Sequence, residues 1–386
     1  MKKLGIAIIG TGGICPAHLQ SYLQFTDRCE VKALCDIYPD KAERTAAKVG
    51  LTDVRIIKDY HEIMNMQDID LVSLCLPPSL HCQAAVDFLG AGKNVLCEKP
   101  MAASVEECDK MLAAQKKSGK LLAIISQNRF RTPVMKMKQL FDSGILGKVK
   151  FARVDSLWWR GTNYYDLWWR GTWEKEGGGC TINHAVHQID ILQWMIGVPT
   201  SVSSFIQNIA HPNSEVEDIS ISVLQYPGMM GEINACLETH DERQEFFFDT
   251  TEASVSIPWK VTSVKQLENG FFEPNPEKAA YIQAQYDKLP VLPIEGHAAE
   301  ILNVLKTLNG EEQLLVSGTE GKRAVELISA IYKSATEQRA VTLPITKNDP
   351  FYSRNTMLPL LPRFYKKGKS VENFSDSNIS LGHIEK

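Results

Sequence analysis

Two side chains in the sequence have the chemistry to move a proton beside a reacting alcohol. Lys99 stands in Cys97-Glu98-Lys99-Pro100, and His187 stands in GGGCTINHAVHQID, residues 177–190. A histidine changes charge near neutral pH and a desolvated lysine does the same, so both types serve as general acids or bases. Asn183 and His187 are spaced i, i+4 and are expected on one helix face, with Asp190 a turn further on. An amide at 183 cannot raise the proton affinity of a neighbouring imidazole as a carboxylate would. It can still orient the ring or hold a hydroxyl. Taken singly, a lysine beside a turn and a histidine on a helix are more often structural.

Such residues need elements to hold them. Residues 4–9, LGIAII, read as a buried strand and GTGGIC as a glycine turn. Ala17, Leu19, Tyr22 and Leu23 mark a helix behind it. Strand, turn and helix together suit a pyrophosphate: Gly10 permits the sharp turn, Gly12 lets the backbone approach, and the helix N-terminus offers free N–H groups. Cys15 occupies the third fingerprint position, where glycine or alanine is usual. Residues 31–34 read as a second strand. Asp36 at its end can accept hydrogen bonds from both ribose hydroxyls of NAD and would repel a 2′-phosphate. It can instead cap the helix DIYPDKAERTAAKV, and Lys41 and Arg44 nearby leave NADP open. IDLVSLCLP (69–77) and NVLCEKP (94–100) are further strands, with the helix LHCQAAVDFLGAGK between them. Alternating strands and helices indicate a parallel sheet covered on both faces, with ligands off the carboxyl ends of its strands.

After Arg129 the pattern changes. A helix is expected over 134–143. Strands are expected in KVKFARVDSLWW, SVSSFIQNIA, ISISVLQYP, MGEINACLETH and QEFFFDTTEASVSIP, in succession. One helix should carry Ile182, Val186, Ile189, Leu192, Gln193 and Ile196, and helices return at 297–308 and 320–337. The expected fold is therefore α/β: a doubly wound Rossmann sheet over residues 1–128, then an α+β unit with an open, mostly antiparallel sheet over 129–350. Residues 351–386 form an extension, either an arm or a segment without regular order.

Five of the seven tryptophans lie in LWWRGTNYYDLWWRGTW, residues 157–173, where LWWRGT occurs twice. Repeat architectures use longer units that recur at least three times, so the doubling is not a structural repeat. Tryptophan and tyrosine offer flat faces to sugar C–H groups and polar edges to hydroxyls. Arg160 and Arg170 suit a hydroxyl, a carboxylate or a cofactor phosphate. Trp158 and Trp159 face opposite ways on a strand, which leaves core and pocket both open for the pair. Trp168, Trp169 and Arg170 read as pocket wall.

The composition excludes several classes. With 386 residues, 44% hydrophobic and 23% charged, two globular domains are expected. The net charge is −4, and no basic block beyond KKGK exists to track nucleic acid. No apolar stretch approaches the ~20 residues of a membrane span. Glycines interrupt the N-terminal apolar run too early for a secretory leader. The nine cysteines contain no C-x-x-C pair, which fits reduced thiols in a cytosol. His184, His187 and His240 lack a fixed carboxylate, and no metal is expected.

The glycine turn, the E-K-P tripeptide and G-G-G…N-x-x-x-H-x-x-D, in this order, resemble the Gfo/Idh/MocA family of glucose–fructose oxidoreductase and inositol dehydrogenase. V-x-x-x-x-P-x-x-x-H at 72–81, QNRF at 127–130 and EGHAAEILNVL extend the resemblance from residue 6 to about 351. It implies an NAD-dependent enzyme that oxidises a secondary alcohol of a sugar, cyclitol or sugar derivative. It implies catalysis by Lys99 and His187 with Asn183, where many sugar-oxidising members carry Asp. The cofactor would lie along Gly10, Gly12, Gly13, Ile14, Asp36, Pro77, His81, Glu98, Asn128, Trp169 and Arg170. The substrate would meet Trp159, Arg160, Tyr165, Trp168 and His184, besides the catalytic residues. A cytoplasmic homo-oligomer, dimer or tetramer, joined through the open sheet is also implied, without nucleic-acid or membrane partners. Two rivals use the same residues: a redox glycosidase that oxidises its substrate transiently, and a dinucleotide sensor without turnover. A pure sensor has no need of Lys99 and His187.

Overall fold

The apolar run Leu4–Ile9 forms β1, buried on both faces of its sheet. It is followed by α1 (Cys15–Leu23), β2 (Cys29–Cys35), α2 (Pro39–Lys48), β3 (Arg55–Ile57), α3 (Tyr60–Met64), β4 (Leu71–Leu74), α4 (Pro78–Gly90), β5 (Asn94–Cys97), α5 (Val105–Ser118) and β6 (Leu122–Ile124). The computed structural model describes residues 3–372 and 374. Its first sheet has the order β3-β2-β1-β4-β5-β6, with every pair parallel. The strand order reverses between β1 and β4, the switch point where open α/β sheets leave a crevice for ligands. β3 and β6 were not anticipated, because each is only three residues long.

The second sheet follows α6 (Thr132–Asp142). It contains β7 (Val149–Trp159) and, after the short α7 (Cys180–Asn183) and α8 (Val186–Ile196), β8 (Ser201–Gln207), β9 (Ile219–Tyr226), β10 (Met229–Cys236), β11 (Glu238–Thr250), β12 (Ser254–Ile257) and β13 (Lys260–Thr262). β14 (Val264–Gln266) and β15 (Phe272–Pro274) make a separate hairpin before α9 (Pro276–Lys288), α10 (Gly296–Leu308) and α11 (Gly318–Glu337). β16 (Val341–Thr342) completes the order β13-β12-β11-β7-β10-β9-β8-β16. Only β7 and β10 pair in parallel, so the sheet is mostly antiparallel. Burial alternates along β9, which leaves one face packed and the other open. The open face carries exposed Phe205, Ile221, Val223 and Met230.

Two expectations are corrected. QEFFFDTTEASVSIP is two strands, turned where the Thr250 hydroxyl donates to the Ala253 carbonyl at 2.7 Å. The helix expected to carry both Asn183 and His187 is broken. The Cys180 carbonyl accepts from both His184 and Ala185 N–H, at 3.0 and 2.9 Å, and this closing turn ends α7 before α8 begins. α10, from the residues expected to form the second unit, packs Ala298, Ile301, Val304 and Leu305 into the core formed by Ile6, Ile8 and Leu19 of the nucleotide sheet.

α11 spans both cores: Val325 joins the first, whereas Leu327, Ile328 and Ile331 join the second. After α12 (Arg354–Met357) the chain runs as an arm to Val371, which bridges to Leu167. Residues 373 and 375–386 of the expected extension lie outside the described residues. Among the described residues no helix is long and apolar enough to cross a membrane.

Candidate active site

The glycine turn has the geometry a dinucleotide needs. Gly10 has φ +92°, and a Cβ there would lie 2.4 Å from the Cys75 carbonyl oxygen. A Cβ on Gly12 would meet nothing within 4 Å, so this glycine faces open space. The N–H groups of Gly12, Gly13 and Ile14 find no acceptor among the described residues. Cys15 is fully buried and seats α1 on the sheet, the packing role of glycine or alanine at that position. Asp36 is fixed beside the turn: its Oδ2 accepts from the Thr11 N–H and hydroxyl, both at 2.8 Å, and its Oδ1 from the Tyr38 N–H at 3.0 Å. Backbone donors for a pyrophosphate and a carboxylate for a ribose are thus both present, and the residues fit NAD.

Beyond β5, Glu98 turns inward. Its Oε1 accepts from His18 Nε2 at 2.8 Å and lies 3.6 Å from His297 Nε2. Its Oε2 accepts from the Lys99 N–H at 3.1 Å. Burial opposes ionisation of Glu98, but the hydrogen bonds from His18 and His297 outweigh it and hold the carboxyl well below its usual range. Glu98 was expected along the cofactor, yet its side chain is committed to these two imidazoles. His18 and His297 reach Glu98 from α1 and α10, far from it in sequence. Glu98, His18 and His297 also have the donor types of a metal site, but their ligating atoms already face one another. His81 is corrected too: it is fully buried, with its ring nitrogens 2.8 Å from the Pro100 and Leu76 carbonyls, so it braces two turns instead of meeting a cofactor. Pro77 is half-buried at the start of α4, and Asn128 is buried in the 3₁₀ turn Gln127–Phe130.

Lys99 and His187 come from different units and meet at one cavity. Together with Met101, Ser126, Val186 and Asp190 they line it. Burial lowers the proton affinity of Lys99, while Glu98 works against the fall. His187 is buried and its ring makes no hydrogen bond among the described residues. Burial and the nearby Lys99 charge drive its pKa well below the ordinary histidine value. Asp190 does not serve His187. It takes Arg129 Nε and Nη2 at 2.7 and 2.6 Å, and the Ser126 hydroxyl, clamping α8 to the end of β6.

Asn183 departs from expectation. Its amide donates to the Gly178 and Gly179 carbonyls at 3.1 and 3.4 Å, away from the imidazole. The main-chain carbonyl of Asn183 is what touches the site, accepting from Lys99 Nζ at 3.4 Å. The glycine triplet admits protein, not ligand. A Cβ on Gly178 would lie 2.1 Å from the Tyr332 hydroxyl, and one on Gly179 1.8 Å from the Glu217 carbonyl oxygen.

The aromatic stretch divides. Trp158 is core, with its indole N–H donating to Ser156 Oγ at 2.9 Å. Trp159 is 46% exposed and stacks on His240, so its expected substrate role is corrected. Tyr165 is likewise corrected: it is buried edge-on against His211. The tyrosine at the site is its neighbour Tyr164, on the 3₁₀ turn Thr162–Asp166. Its hydroxyl lies 3.4 Å from His184 Nε2, and its ring sits 4.0 Å from the Arg170 guanidinium and 5.8 Å from that of Arg160. Nothing in the Tyr-Tyr pair itself distinguishes the two.

Arg170 also lies 4.2 Å over Trp169 and pairs with Glu176 at 2.9 Å. Burial pushes Glu176 up to about 7 in spite of that partner. Arg160 pairs with Glu242 at 2.7 Å. Trp168 is half-buried, with Lys175 Nζ 5.0 Å from its ring. Burial, then the charges of Arg160, Arg170 and Lys99, hold His184 well below its ordinary value. Lys99, Tyr164, Arg170, His184 and His187 therefore form one electrostatically linked group.

Residues 4–126 match the model of the Gfo/Idh/MocA oxidoreductase family with an NAD-binding Rossmann fold, and residues 134–256 match the Gfo/Idh/MocA C-terminal domain. The chain is similar to the myo-inositol 2-dehydrogenase of Thermotoga maritima, at 24% identity over 88% of this chain and 98% of that one. It is similar to the D-glucoside 3-dehydrogenase of Escherichia coli, at 28% identity over 51% of this chain and 55% of that one. The chain spans about half the length of several curated relatives it matches, 57% and 52% in two cases. Among solved structures, the WlbA dehydrogenase of Bordetella pertussis in complex with NADH and UDP-GlcNAcA is similar, with a TM-score of 0.77 and 27% identity over 89% of this chain and 100% of that one.

Proposed function

The chain belongs to the Gfo/Idh/MocA oxidoreductase family, and from that premise we propose that it oxidises a secondary alcohol of a sugar, cyclitol or sugar derivative with NAD. The observation that carries the reading is the pairing of Lys99 with an unbonded, neutral His187 in one cavity beside the carboxyl ends of the parallel strands. NAD, when bound, would supply the hydride acceptor for the alcohol carbon. The backbone of Gly12, Gly13 and Ile14 would hold its pyrophosphate and Asp36 its adenosine ribose.

Lys99 positions the hydroxyl by donating a hydrogen bond, a contact it now spends on the Asn183 carbonyl. His187 takes the hydroxyl proton on a free ring nitrogen as the carbonyl forms. Arg170 and Tyr164 wall the cleft and exclude water. Much of the acceleration comes from holding the carbon and the two proton-handling groups in register. The names of the relatives favour a sugar or cyclitol substrate. The exposed apolar residues Phe205, Ile221, Val223 and Met230 on the open sheet support a homo-oligomer built through that face. We place the enzyme in the cytoplasm, in keeping with its unpaired, mostly buried cysteines.

The test is absorbance at the reduced nicotinamide band of the NAD-loaded protein, challenged with sugars, cyclitols, sugar acids and aryl glycosides, beside Lys99→Ala and His187→Ala. Net reduction lost in both variants supports the proposal. Aglycone release without net reduction would replace it with the redox glycosidase, and NAD binding without turnover across the panel with the sensor.

A further inference from the structure

The segment that carries Trp168, Trp169 and Arg170 has little regular structure of its own. Within 167–170 its internal support is one turn, with the Arg170 N–H donating to the Leu167 carbonyl at 3.0 Å. Its remaining main-chain hydrogen bonds come from the C-terminal arm, while the Arg170 side chain pairs with Glu176. The Trp168 N–H donates to the Val371 carbonyl, and the Val371 N–H to the Asp166 carbonyl, both at 2.8 Å. The Lys367 ammonium donates to the Tyr165 and Leu167 carbonyls. Lys369 pairs with Asp166 at 2.5 Å, and the Trp173 indole N–H donates to the Pro362 carbonyl at 2.8 Å.

Asn213 ties arm and segment together. Its Oδ1 accepts from the Gly368 and Lys369 N–H groups at 2.8 and 2.9 Å. Its amide donates to the Lys369 carbonyl and to Asp166 Oδ1, both at 2.9 Å. The arm thus grips residues 165–173 at both ends. Lys367 also lies within electrostatic range of Glu176, the carboxylate that holds Arg170. Arg170 in turn covers Tyr164, whose hydroxyl meets His184.

We infer that residues 362–371 are a positioning arm for the aromatic wall of the active site, and that ligand binding depends on this segment. It lies beyond both stretches that match the family models. The arm touches no reacting atom. It lowers the ordering cost of the wall before ligand arrives, so its loss falls on binding more than on turnover.

The experiment compares the full chain with Asn213→Ala and Val371→Pro. The first removes the five hydrogen bonds that the Asn213 side chain makes with Tyr165, Asp166, Gly368 and Lys369, and the second removes the N–H that reaches Asp166. Hydrogen–deuterium exchange over residues 164–173 and NADH binding by tryptophan quenching are read in all three. Where the panel supplies a turned-over sugar, its KM and kcat are read as well. The expected result is faster exchange confined to 164–173, NADH affinity or sugar KM weakened about fivefold or more, and kcat changed by less than about twofold. Unchanged exchange would show that the arm does not hold the wall. Faster exchange with unaltered NADH affinity and KM would reduce the arm to packing. The inference rests on the dehydrogenase reading only for the purpose of the cleft. Exchange and NADH binding need no turnover, so a silent sugar panel would overturn that reading and leave the arm decided by these two readouts.

Discussion

The ammonium of Lys99 lies 3.4 Å from the main-chain carbonyl of Asn183, joining the end of β5 to the end of α7. The contact is long, and a backbone acceptor fixes the lysine whatever side chain stands at 183. A substrate hydroxyl can take the carbonyl's place without leaving a buried charge unpaired, because Glu98 lies next to Lys99.

The proton-handling pair predicts a pH profile. Burial and Lys99 drive His187 well below 6.5, so its imidazole is neutral and ready to accept a proton throughout the neutral range. For alcohol oxidation, kcat/KM is expected to stay flat as pH falls toward 6.5 and to drop only below it. His187→Ala and Lys99→Ala should each lower kcat by about 10²–10⁴. An acid limb at or above the ordinary histidine value would count against His187 as the base.

Asp36 predicts cofactor selectivity. Asp36→Ala removes the carboxylate proposed for the ribose hydroxyls and frees Thr11. NAD affinity should weaken by about 10–100-fold, while NADP weakens less or gains. Parallel fluorescence titrations with NADH and NADPH give the ratio, and an unchanged ratio would remove Asp36 from the ribose site.

Two sets of glycines should fail in different ways. Gly179→Ala drives a Cβ into the Glu217 carbonyl, and Gly178→Ala drives one into the Tyr332 hydroxyl at φ +148°. Each should destabilise the protein by about 1–3 kcal/mol or more, read as a lower melting temperature. Gly12→Ala meets no atom and should leave stability nearly unaltered, yet it places a methyl group where the pyrophosphate comes closest. A loss of NAD affinity without a loss of stability is its expected signature.

His211 gives a stability test with a definite sign. Burial opposes its protonation, but Asp218 at 2.8 Å and the Arg160 carbonyl at 2.9 Å outweigh burial and raise its pKa. A raised folded value means the protonated ring stabilises the native state fully below 6.5, and that this is lost as pH rises through the folded value. The melting-temperature gap between wild type and His211→Asn should be widest in mild acid and narrow toward alkaline pH. A gap that widens with pH would reverse the assignment.

What could be read from the sequence was local. The turn at Gly10, the carboxylate at Asp36 and the placement of Lys99 at a strand end each follow from a few adjacent residues. What escaped depends on packing between distant segments. The two imidazole partners of Glu98 escape because they come from α1 and α10. Tyr164 escapes because a 3₁₀ turn, not a strand or α-helix, sets which ring faces Arg170. Asn183 was put on the face of His187 because unbroken periodicity hid the turn closed at Cys180. Trp159 fell on the outer side of β7 by alternation, a choice that required knowing which of the pair was core.

The return of α10 to the nucleotide sheet bears on how such proteins can be recombined. A fragment ending near residue 128 would leave the surface under Ala298, Ile301, Val304 and Leu305 bare, and Glu98 without His297. The nucleotide-binding half is therefore not a cassette. A chimera that imports a relative's first 128 residues must import its own α10 as well, because the seam between parents runs through three dimensions and not along the chain.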